Sequence, residues 1–358
     1  MMRLEPRTAP SPLLIYGAPV LAAVISLVLA AIPLLAAGVN VFQAYGVMIS
    51  GALGSQFALT EVVARATPLI LTGLAAAIAF RAKLFNIGAE GQLYIGALAA
   101  VAIGSGRFDG PAPLMILGIC IAGAVAGALM MLGPTVLKVK LGADEVVTTL
   151  LLNFIVALFV QMMIEGPMKD PMSMGWPQSE PILDSATLPK LIDKTRVHAG
   201  LIIAILAAIG TEILMRRTVP GFRIRAVGAS PAAARFAGMS VTKTMLLVGA
   251  LSGAFAGLAG VGEVAGLKGY LTNDLSPGYG YAGIVVAMLA GLSPIGVIAA
   301  AFFVAAVFVG ADSMSRAMTV SSYIANLIVA LGLLSVLLSG VLTRYHIRWS
   351  SPARGRAS

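Results

Sequence analysis

The stretch "RAKLFNIGAEGQLYIGALAAVAIG", residues 81–104, places basic, carboxylate and amide side chains beside an apolar run long enough to enter a bilayer. The 358-residue chain around it is 59% apolar and only 11% charged, and its mean hydropathy is +0.95. Soluble domains carry roughly 25% charged residues. Long uncharged runs recur along the chain, and a helix needs about 20 apolar residues to cross the hydrocarbon. The sequence predicts an all-α polytopic membrane protein with about ten transmembrane helices, in a range of about 8–10.

The distribution of charge predicts the topology. With ten spans and the amino terminus inside, most of the 24 lysines and arginines fall on the inner side, as the positive-inside rule expects. The formal charge of +9 then reflects topology and predicts no nucleic-acid partner. We expect a cytoplasmic tail at 1–12, a single transmembrane domain at 13–343 and a basic cytoplasmic tail at 344–358. Within the domain, 165–197 form an outer loop and 216–243 a cytoplasmic segment.

Several features exclude other classes of protein. The apolar run over residues 13–37 is longer than the core of a signal peptide, so we interpret it as a first span. Cys120 is the only cysteine, which excludes an intramolecular disulfide. His198 and His346 have no second ligand at metal spacing. The chain has no Walker phosphate-binding motif and no visible catalytic constellation, so we expect neither an enzyme nor a bound cofactor.

A short helix is predicted within the inner connection 216–243. Ser230 suits its cap, Pro231 its first position, and Gly238 a left-handed stop, so we expect a helix of about two turns. This helix either joins two spans or docks onto a cytoplasmic partner. Its candidate docking residues are Ser230, Pro231, Ala232, Ala233, Ala234, Arg235, Phe236 and Gly238.

The polar residues of the opening stretch allow two interpretations. Asn86 is placed to cap the next span, with Glu90 in its first turn, where the helix dipole favours a carboxylate. A spacing of four predicts that Asn86, Glu90 and Tyr94 share one face. They mark either an ordinary helix start or the lining of a translocation pathway. Gln92 falls on another face beside small residues, which favours a packing role.

A second polar stripe follows residue 144. Glu145, Thr149 and Asn153 recur at a spacing of four on one predicted span. Asp144 and Glu145 suit a helix amino terminus. Asn153, two turns further on among leucines, lines the pathway or bonds to a neighbouring helix.

The segment "LKGYLTNDLSPGYGYAG", residues 267–283, is broken by glycine and proline on the predicted outer side. Irregular backbone near a membrane is tolerated where it lines a cavity or is buried in protein. The segment is either an ordinary loop or part of an outer gate. The candidate gate residues are Asn273, Asp274, Tyr279 and Tyr281.

Several blocks of sequence resemble a known family. "AVGASPAAARFAGMS" (226–240) and "LSGAFAGLAG" (251–260) resemble the cytoplasmic coupling segment of ABC importer permeases in the branched-chain amino acid, ribose and nucleoside group. Four further blocks resemble the nucleoside and simple-sugar subgroup and occur along the chain in the order found in that subgroup. They are "LTGLAAAIAFRAKLFNIGAEGQLYIGA" (71–97), "LGADEVVTTLLLNFI" (141–155), "PQSEPILDSATLPKL" (177–191) and "YAGIVVAMLAGLSPIG" (281–296). Ser293-Pro294 departs from the Asn-Pro of many relatives but keeps a turn former.

The resemblance implies the membrane subunit of an ATP-driven importer in the bacterial inner membrane. It implies a separate cytoplasmic ATPase that binds the ATP, a second permease subunit, and a periplasmic or lipid-anchored solute-binding protein. Nucleosides or simple sugars are the implied cargo, with branched-chain amino acids as an alternative. A self-contained secondary transporter is a further alternative, but the predicted mid-span regions offer few of the ionisable residues that it needs.

Overall fold

The structure is a computed structural model that describes residues 2–6, 24–25, 27–108 and 110–349. Residues 1 and 7–12 of the predicted amino-terminal tail, residues 13–23 and 26 of the run over 13–37, and residues 350–358 of the predicted carboxyl-terminal tail lie outside the described residues. Contacts divide the chain into two compact units, one comprising Met1–Gly51 with Gly310–Ser358 and the other Ala52–Val309. The predicted single-domain boundaries stay a prediction.

The described elements are mostly helical. The helices are α1 (Leu27–Ala36), α2 (Val41–Leu53), α3 (Gln56–Arg81), α4 (Ala89–Gly104), α5 (Ala112–Leu141), α6 (Glu145–Glu165), α7 (Gly200–Arg217), α8 (Val219–Ala229), α9 (Pro231–Phe236), α10 (Val241–Glu263), α11 (Tyr279–Leu289), α12 (Pro294–Ala317) and α13 (Ser322–Arg344). A 3₁₀ turn covers Asp184–Ala186, and a π-helical turn, Val264–Lys268, extends α10. Two strands, β1 (Met2–Pro6) and β2 (Tyr345–Trp349), pair antiparallel.

Five described helices are long and apolar enough to cross a membrane: α3, α5, α6, α10 with its π-helical turn, and α12. Helices α1 and α2 pass the same test only as a pair, with a bend of 115° between them. Counted as one span, this pair brings the number to six. The apolar helices α4 and α11 and the segment Ser322–Ser335 of α13 are shorter. The polytopic all-helical class is therefore confirmed. The count of ten spans and the sidedness of the termini stay predictions.

The larger unit, Ala52–Val309, is built around α3. Of the apolar window in α3, 89% is buried, against 28% for α5 and for α6, so α3 is the central helix. It packs against α7, α10 and α11, and α10 packs in turn against α4 and α5. Glycine allows the closest of these contacts: a Cβ on Gly127 of α5 would lie 2.2 Å from the carbonyl oxygen of Gly253 in α10. Small residues at such contacts are the usual means of close helix packing in membranes.

The larger unit has two opposite ends. The α9 end carries the carboxyl end of α3 and the segment α8–α9. The other end carries the connection over residues 166–199, in which Lys169 is bridged to Ser179 across a hairpin-shaped loop. We call it the hairpin end. Leu183 in this connection donates its backbone N–H to the carbonyl of Gly104 at the carboxyl end of α4, at 2.8 Å.

The apolar stretch over residues 284–311 forms two helices rather than one. Helix α11 ends at Leu289, and α12 begins at Pro294. Leu292 between them has a φ of +60°, and Gly291 a φ of +59°. This left-handed turn and the proline that follows it stop one helix and start the next.

The smaller unit contains the described parts of both chain ends. The side chain of Ser313 in α12 lies where a Cβ on Gly51 in α2 would fall, so these two helices are in close contact. In β1 and β2, Met2 is paired with Trp349 and Pro6 with Tyr345.

Candidate functional site

The short helix α9 has the local structure that the sequence predicts. The Ser230 hydroxyl accepts the N–H of Ala233 at 3.2 Å, and Pro231 occupies the first helical position. At the other end, Gly238 has a φ of +78°. The N–H of Gly238 bonds to Arg235 and that of Met239 to Ala234, both at 3.0 Å. These two bonds form a complete Schellman stop.

One face of α9 is locked to the bundle and the other is exposed. Ala234 is buried, whereas Pro231, Ala232, Ala233 and Arg235 are exposed, and Phe236 is 96% exposed. Ala234 belongs to a hydrophobic cluster with residues from the ends of α3 and α10, from α5 and α7, and from α8. The cluster comprises Ile78, Ala79, Ala82, Leu84, Met131, Met215, Ile224, Val227, Ala234, Met245 and Val248.

The segment α8, which the sequence did not reveal, holds α9 in place. Thr218 caps α8 by accepting the N–H of Gly221 at 3.2 Å. A Cβ on Gly228 would lie 1.8 Å from the carbonyl oxygen of Arg81, so α8 rests directly on the end of α3. Arg81 in turn donates from Nε to the carbonyl of Leu292, just after α11, at 3.1 Å. A continuous set of contacts therefore joins α9, α3 and α11.

Helix α11 begins deep inside the bundle. Thr72 of α3 donates its hydroxyl to the carbonyl of Tyr279, the first residue of α11, at 3.0 Å. Thr72 lies nine residues before the end of α3, or about 14 Å at 1.5 Å per residue, close to the middle of a hydrocarbon layer of about 30 Å. The irregular segment 269–278 therefore descends to membrane depth, where such backbone must be buried or line a cavity.

The amino termini of α4 and α11 meet at this depth. Glu90, in the first turn of α4, accepts the N–H of Gly280 in the first turn of α11 at 2.7 Å, and it also bonds to Ser276. The carboxylate thereby satisfies a free N–H and complements the dipole of α11. Broken helices whose amino termini meet near the midplane are typical of solute sites in transporters.

The polar stripe on α6 caps the start of α4. Glu145 accepts the N–H of Phe85 at 3.1 Å, and Thr149 accepts that of Ile87 at 3.2 Å. Asn153 accepts the N–H of Gly91 at 2.9 Å and donates to the Tyr281 hydroxyl at 3.1 Å. Asp144 caps α6 itself, as expected, through the N–H of Val146 at 2.8 Å. The stripe makes interhelical hydrogen bonds, and its pathway role stays a prediction.

The expectation that Asn86 caps α4 is wrong. The cap position is Gly88, and Asn86 lies in a non-helical turn, so it does not continue the face of Glu90 and Tyr94. Asn86 is fully buried and forms a reciprocal amide pair with Gln92, at 2.8 and 2.9 Å. It also donates to Ser252 of α10 at 2.9 Å. Gln92 also contacts the sulfur of Met131 in α5 at 3.4 Å, so it links two helices as expected. Asn86 links the turn before α4 to α10, and its pathway role stays a prediction.

A partly exposed polar face remains where α4, α11 and the segment 269–278 meet. Tyr94 donates its hydroxyl to the carbonyl of Asn273 at 2.7 Å and accepts the N–H of Ser276 at 3.2 Å. Tyr281 is 42% exposed, and Asn273 is exposed. A tyrosine-rich face beside a carboxylate is costly against lipid at this depth, so it faces water or another protein surface.

Two of the candidate gate residues, Tyr279 and Asp274, have different surroundings from Tyr94 and Tyr281. Tyr279 is buried and packs edge to face on Phe308 of α12, with ring centroids 6.2 Å apart, because the first turn of α11 turns it towards α3 and α12. Asp274 is exposed and pairs with Lys268 at 3.4 Å. Hydrogen bonding from the Thr272 side chain, aided by Lys268, holds the pKa of the Asp274 carboxyl below its ordinary value.

An open cavity among the described residues lies elsewhere. It has a volume of about 950 Å³ and lies between α5 and α7, with Leu258 of α10 among its lining residues. Its lining is almost entirely apolar, with Asp184 and Thr187 at one edge. Because polar solutes need polar partners, the face around Glu90 and Tyr94 is the better candidate site.

Comparison with known proteins identifies the family. Residues 58–342 match the family described as the branched-chain amino acid transport system permease component. The chain is 39% identical to a glucose ABC transporter permease protein of Haloferax volcanii, over 99% of this chain and 95% of the relative. It is 36% identical to a guanosine ABC transporter permease protein of Bacillus subtilis, over 89% of this chain and 92% of the relative. A nucleoside ABC transporter permease protein of Lactococcus lactis is also 36% identical, over 83% of this chain and 84% of the relative. No solved structure matches the chain.

These matches and the apolar helices define a multi-pass membrane protein of the transport class. The chain belongs to the branched-chain amino acid transport system permease component family and is the permease subunit of an ABC importer. The resemblance of its sequence blocks to that group is confirmed. Its relatives are transport subunits rather than enzymes, and the family pairs in general with ATPase and binding-protein partners.

Proposed function

We propose that this permease moves nucleosides or simple sugars across the cytoplasmic membrane of a bacterium, driven by a separate ATPase. Three relatives of at least 36% identity are named for glucose, guanosine or nucleoside transport, which supports this cargo class. In the proposed topology the chain has about ten spans with both termini cytoplasmic, so that α9 faces the cytoplasm and residues 166–199 face outward.

The observation that carries the proposal is the two-sided character of α9. Phe236 and Arg235 are exposed on a helix of only six residues, whose opposite face is fixed in the cluster around Ala234. A rigid exposed aromatic beside a cation suits a cleft in a cytoplasmic ATPase. In this proposal the ATPase binds the ATP, and the permease needs no cofactor of its own.

The contacts behind α9 give its movement a route to the solute site. A displacement of α9 and α8 acts on the Arg81 turn, which holds the end of α11 through Leu292. The other end of α11 carries Gly280 and Tyr281, next to Glu90. Closure of the ATPase would thereby rearrange the polar face, which a second permease subunit completes across the pathway. Hydroxyl-rich, uncharged cargo matches the tyrosine, carboxylate and backbone groups of that face.

The test is to reconstitute the chain with its ATPase and a solute-binding protein in liposomes. The variants Phe236→Ala and Arg235→Glu should lose ATPase association and reduce uptake by roughly tenfold or more, since hot-spot truncations commonly exceed 1.4 kcal/mol. Both side chains are exposed, so the bundle should remain folded. Phe108 is an exposed aromatic residue at the hairpin end. Phe108→Ala is therefore the matched control and should leave ATPase association and uptake unchanged.

Two results would contradict the proposal. One is normal ATPase binding and uptake by the α9 variants. The other is uptake by the chain alone under an ion gradient, which would instead indicate a secondary transporter.

A further inference from the structure

A hairpin-shaped loop projects from the hairpin end of the bundle. Residues 169–179 form its two arms and the turn between them. Lys169 is bridged to Ser179, and Asp170 donates its N–H to the carbonyl of Gln178 at 3.0 Å. The turn closes through the N–H of Trp176 and the carbonyl of Ser173 at 3.0 Å. Both central residues are left-handed, with φ of +50° at Met174 and +95° at Gly175, as in a type I′ turn.

The hairpin is held rigid from within. The carboxylate of Asp170, which is buried, accepts the N–H of Met172 at 2.8 Å and the amide of Gln178 at 3.0 Å. A methionine in the left-handed region is strained, so this turn is maintained against a local cost. The hydrogen bonds to Asp170 therefore favour this shape of the tip in the absence of a partner.

Three large apolar side chains stand at the tip. Met172 is 85% exposed, Met174 97% and Trp176 75%. Exposed apolar residues on membrane helices face lipid, but these three lie on a hairpin beyond the end of α6. Clustered exposed apolar groups mark interaction sites, tryptophan is enriched among binding hot spots, and methionine adapts to varied surfaces.

The base of the hairpin is bonded to the segment that forms the candidate gate. Ser179 donates its N–H to the carbonyl of Leu271 at 2.9 Å, and Leu271 donates its own to the Ser179 hydroxyl at 2.8 Å. Ile182 donates to Gly269 at 2.8 Å. Two residues beyond Leu271 lies Asn273, whose carbonyl accepts the Tyr94 hydroxyl. The hairpin thus stands over the route to the polar face.

We propose that this hairpin is the docking element for the extracytoplasmic solute-binding protein, with Met172, Met174 and Trp176 entering an apolar recess on that partner. The inference rests on the proposed function, because a partner that delivers solute must stand over the same route. Exposed Lys169, Lys190 and Lys194 lie on this end of the bundle with exposed Glu165 and Asp193, so the surroundings of the tip are polar and of mixed charge, as in the rim of a protein interface. Docking then acts on residues 269–272 through backbone hydrogen bonds.

The test uses nanodiscs that hold the permease with its ATPase, and the solute-binding protein that supports uptake with wild type. Trp176→Ala should weaken binding of that protein by roughly tenfold or more. Met174→Gly should also weaken it while keeping or raising the melting temperature, because glycine accepts the left-handed turn. Phe108→Ala should change binding by less than about twofold, as expected for an exposed residue outside the hot spot. All three variants should keep the ATPase, which separates this test from that of Phe236→Ala.

Wild-type binding by both hairpin variants would overturn the proposal. So would insertion of the tip into the bilayer, which is measurable because the chain has only two tryptophans. In a Trp349→Phe background, quenching of Trp176 by brominated phospholipid would show that a membrane surface is the partner. If wild type recruits no ATPase and supports no uptake, the proposed function fails together with the docking proposal. If wild type transports and the hairpin variants do so equally, only the docking proposal fails.

Discussion

At the scale of single residues, several polar side chains inside this bundle satisfy backbone groups where helices begin. Asn153 accepts a backbone N–H of α4, and Glu90 accepts one of α11. Ser252 accepts a hydrogen bond from Asn86 and donates one to the carbonyl of Ala75 at 2.7 Å. The first N–H groups of any helix lack partners within the helix, and water is absent from the bilayer core. Helices that begin inside a membrane therefore need such residues from their neighbours.

We expect Asn153→Leu to lower the melting temperature as well as uptake. The substitution leaves the N–H of Gly91 and the carbonyl of Ile87 without the bonds that Asn153 provides. A buried backbone group without a partner costs about 1–3 kcal/mol. Gln161→Leu on the same helix is the control, because Gln161 is exposed and bonds only to Glu165. Equal melting temperatures in detergent for the two variants would contradict this account.

His198 predicts a dependence of stability on pH. Burial lowers the pKa of His198 from 6.5 to about 4, and its Nδ1 accepts the N–H of Gly200 at 3.1 Å. The unfolded chain binds a proton below about pH 6.5, whereas the folded chain does not until about pH 4. The stabilisation is therefore fully present above pH 6.5 and is lost as the pH falls towards 4.

Hydrogen exchange of residues 190–200 at pH 7 and pH 5, corrected for intrinsic rates, measures this loss. The variant His198→Asn keeps an acceptor near the Nδ1 position but does not titrate, so its protection should change less between the two pH values. A variant as sensitive to pH as wild type would show that another group is responsible.

At the scale of elements, short-range rules predicted α9 well and α4 poorly. The cap at Ser230 and the stop at Gly238 depend on residues within a few positions, and the sequence displays them directly. Asn86 depends on Ser252, which is 166 residues away, and on a non-helical turn in which Lys83 has a φ of +56°. Spacing on a helical wheel has no meaning for a residue outside the helix. Glycine and proline identified 267–283 as irregular, but its depth follows from the packing of α11 on α3.

The stop at Gly238 gives a prediction for the whole of α9. Gly238→Val places a β-branched residue in the left-handed region, where non-glycine residues lose roughly 1–2 kcal/mol. We expect faster hydrogen exchange over residues 231–239 and weaker ATPase association. Gly238→Asn should behave much like wild type, because asparagine tolerates this conformation. If valine and asparagine act alike, the left-handed stop does not determine the fold of α9.

At the scale of the whole molecule, the larger unit depends on close contact between α5 and α10. A Cβ on Gly127 would meet the backbone of Gly253, which cannot move aside as a side chain can. Gly210, in the interior of α7, has nothing within 4 Å of its Cβ position and is not followed by proline. The same substitution at these two glycines therefore separates the effect of packing from the effect of helix propensity.

We expect Gly127→Ala to destabilise the protein by about 1–3 kcal/mol, as overpacking in close-packed interiors does. Gly210→Ala should be neutral or stabilising by up to about 1 kcal/mol, because alanine favours the helix. Thermal unfolding of both variants in the same detergent is the measurement. A loss of stability at Gly210 equal to that at Gly127 would contradict the close packing of α5 on α10.

The pairing of β1 with β2 bears on how many times the chain crosses the membrane. Because Met2–Pro6 pairs with Tyr345–Trp349, we expect these two strands to lie in the same compartment. In that case the chain between them crosses the membrane an even number of times, and any segment that enters the bilayer and returns to its own side adds no crossing. Reporter fusions at the two ends should therefore always agree with each other, whichever compartment they reveal.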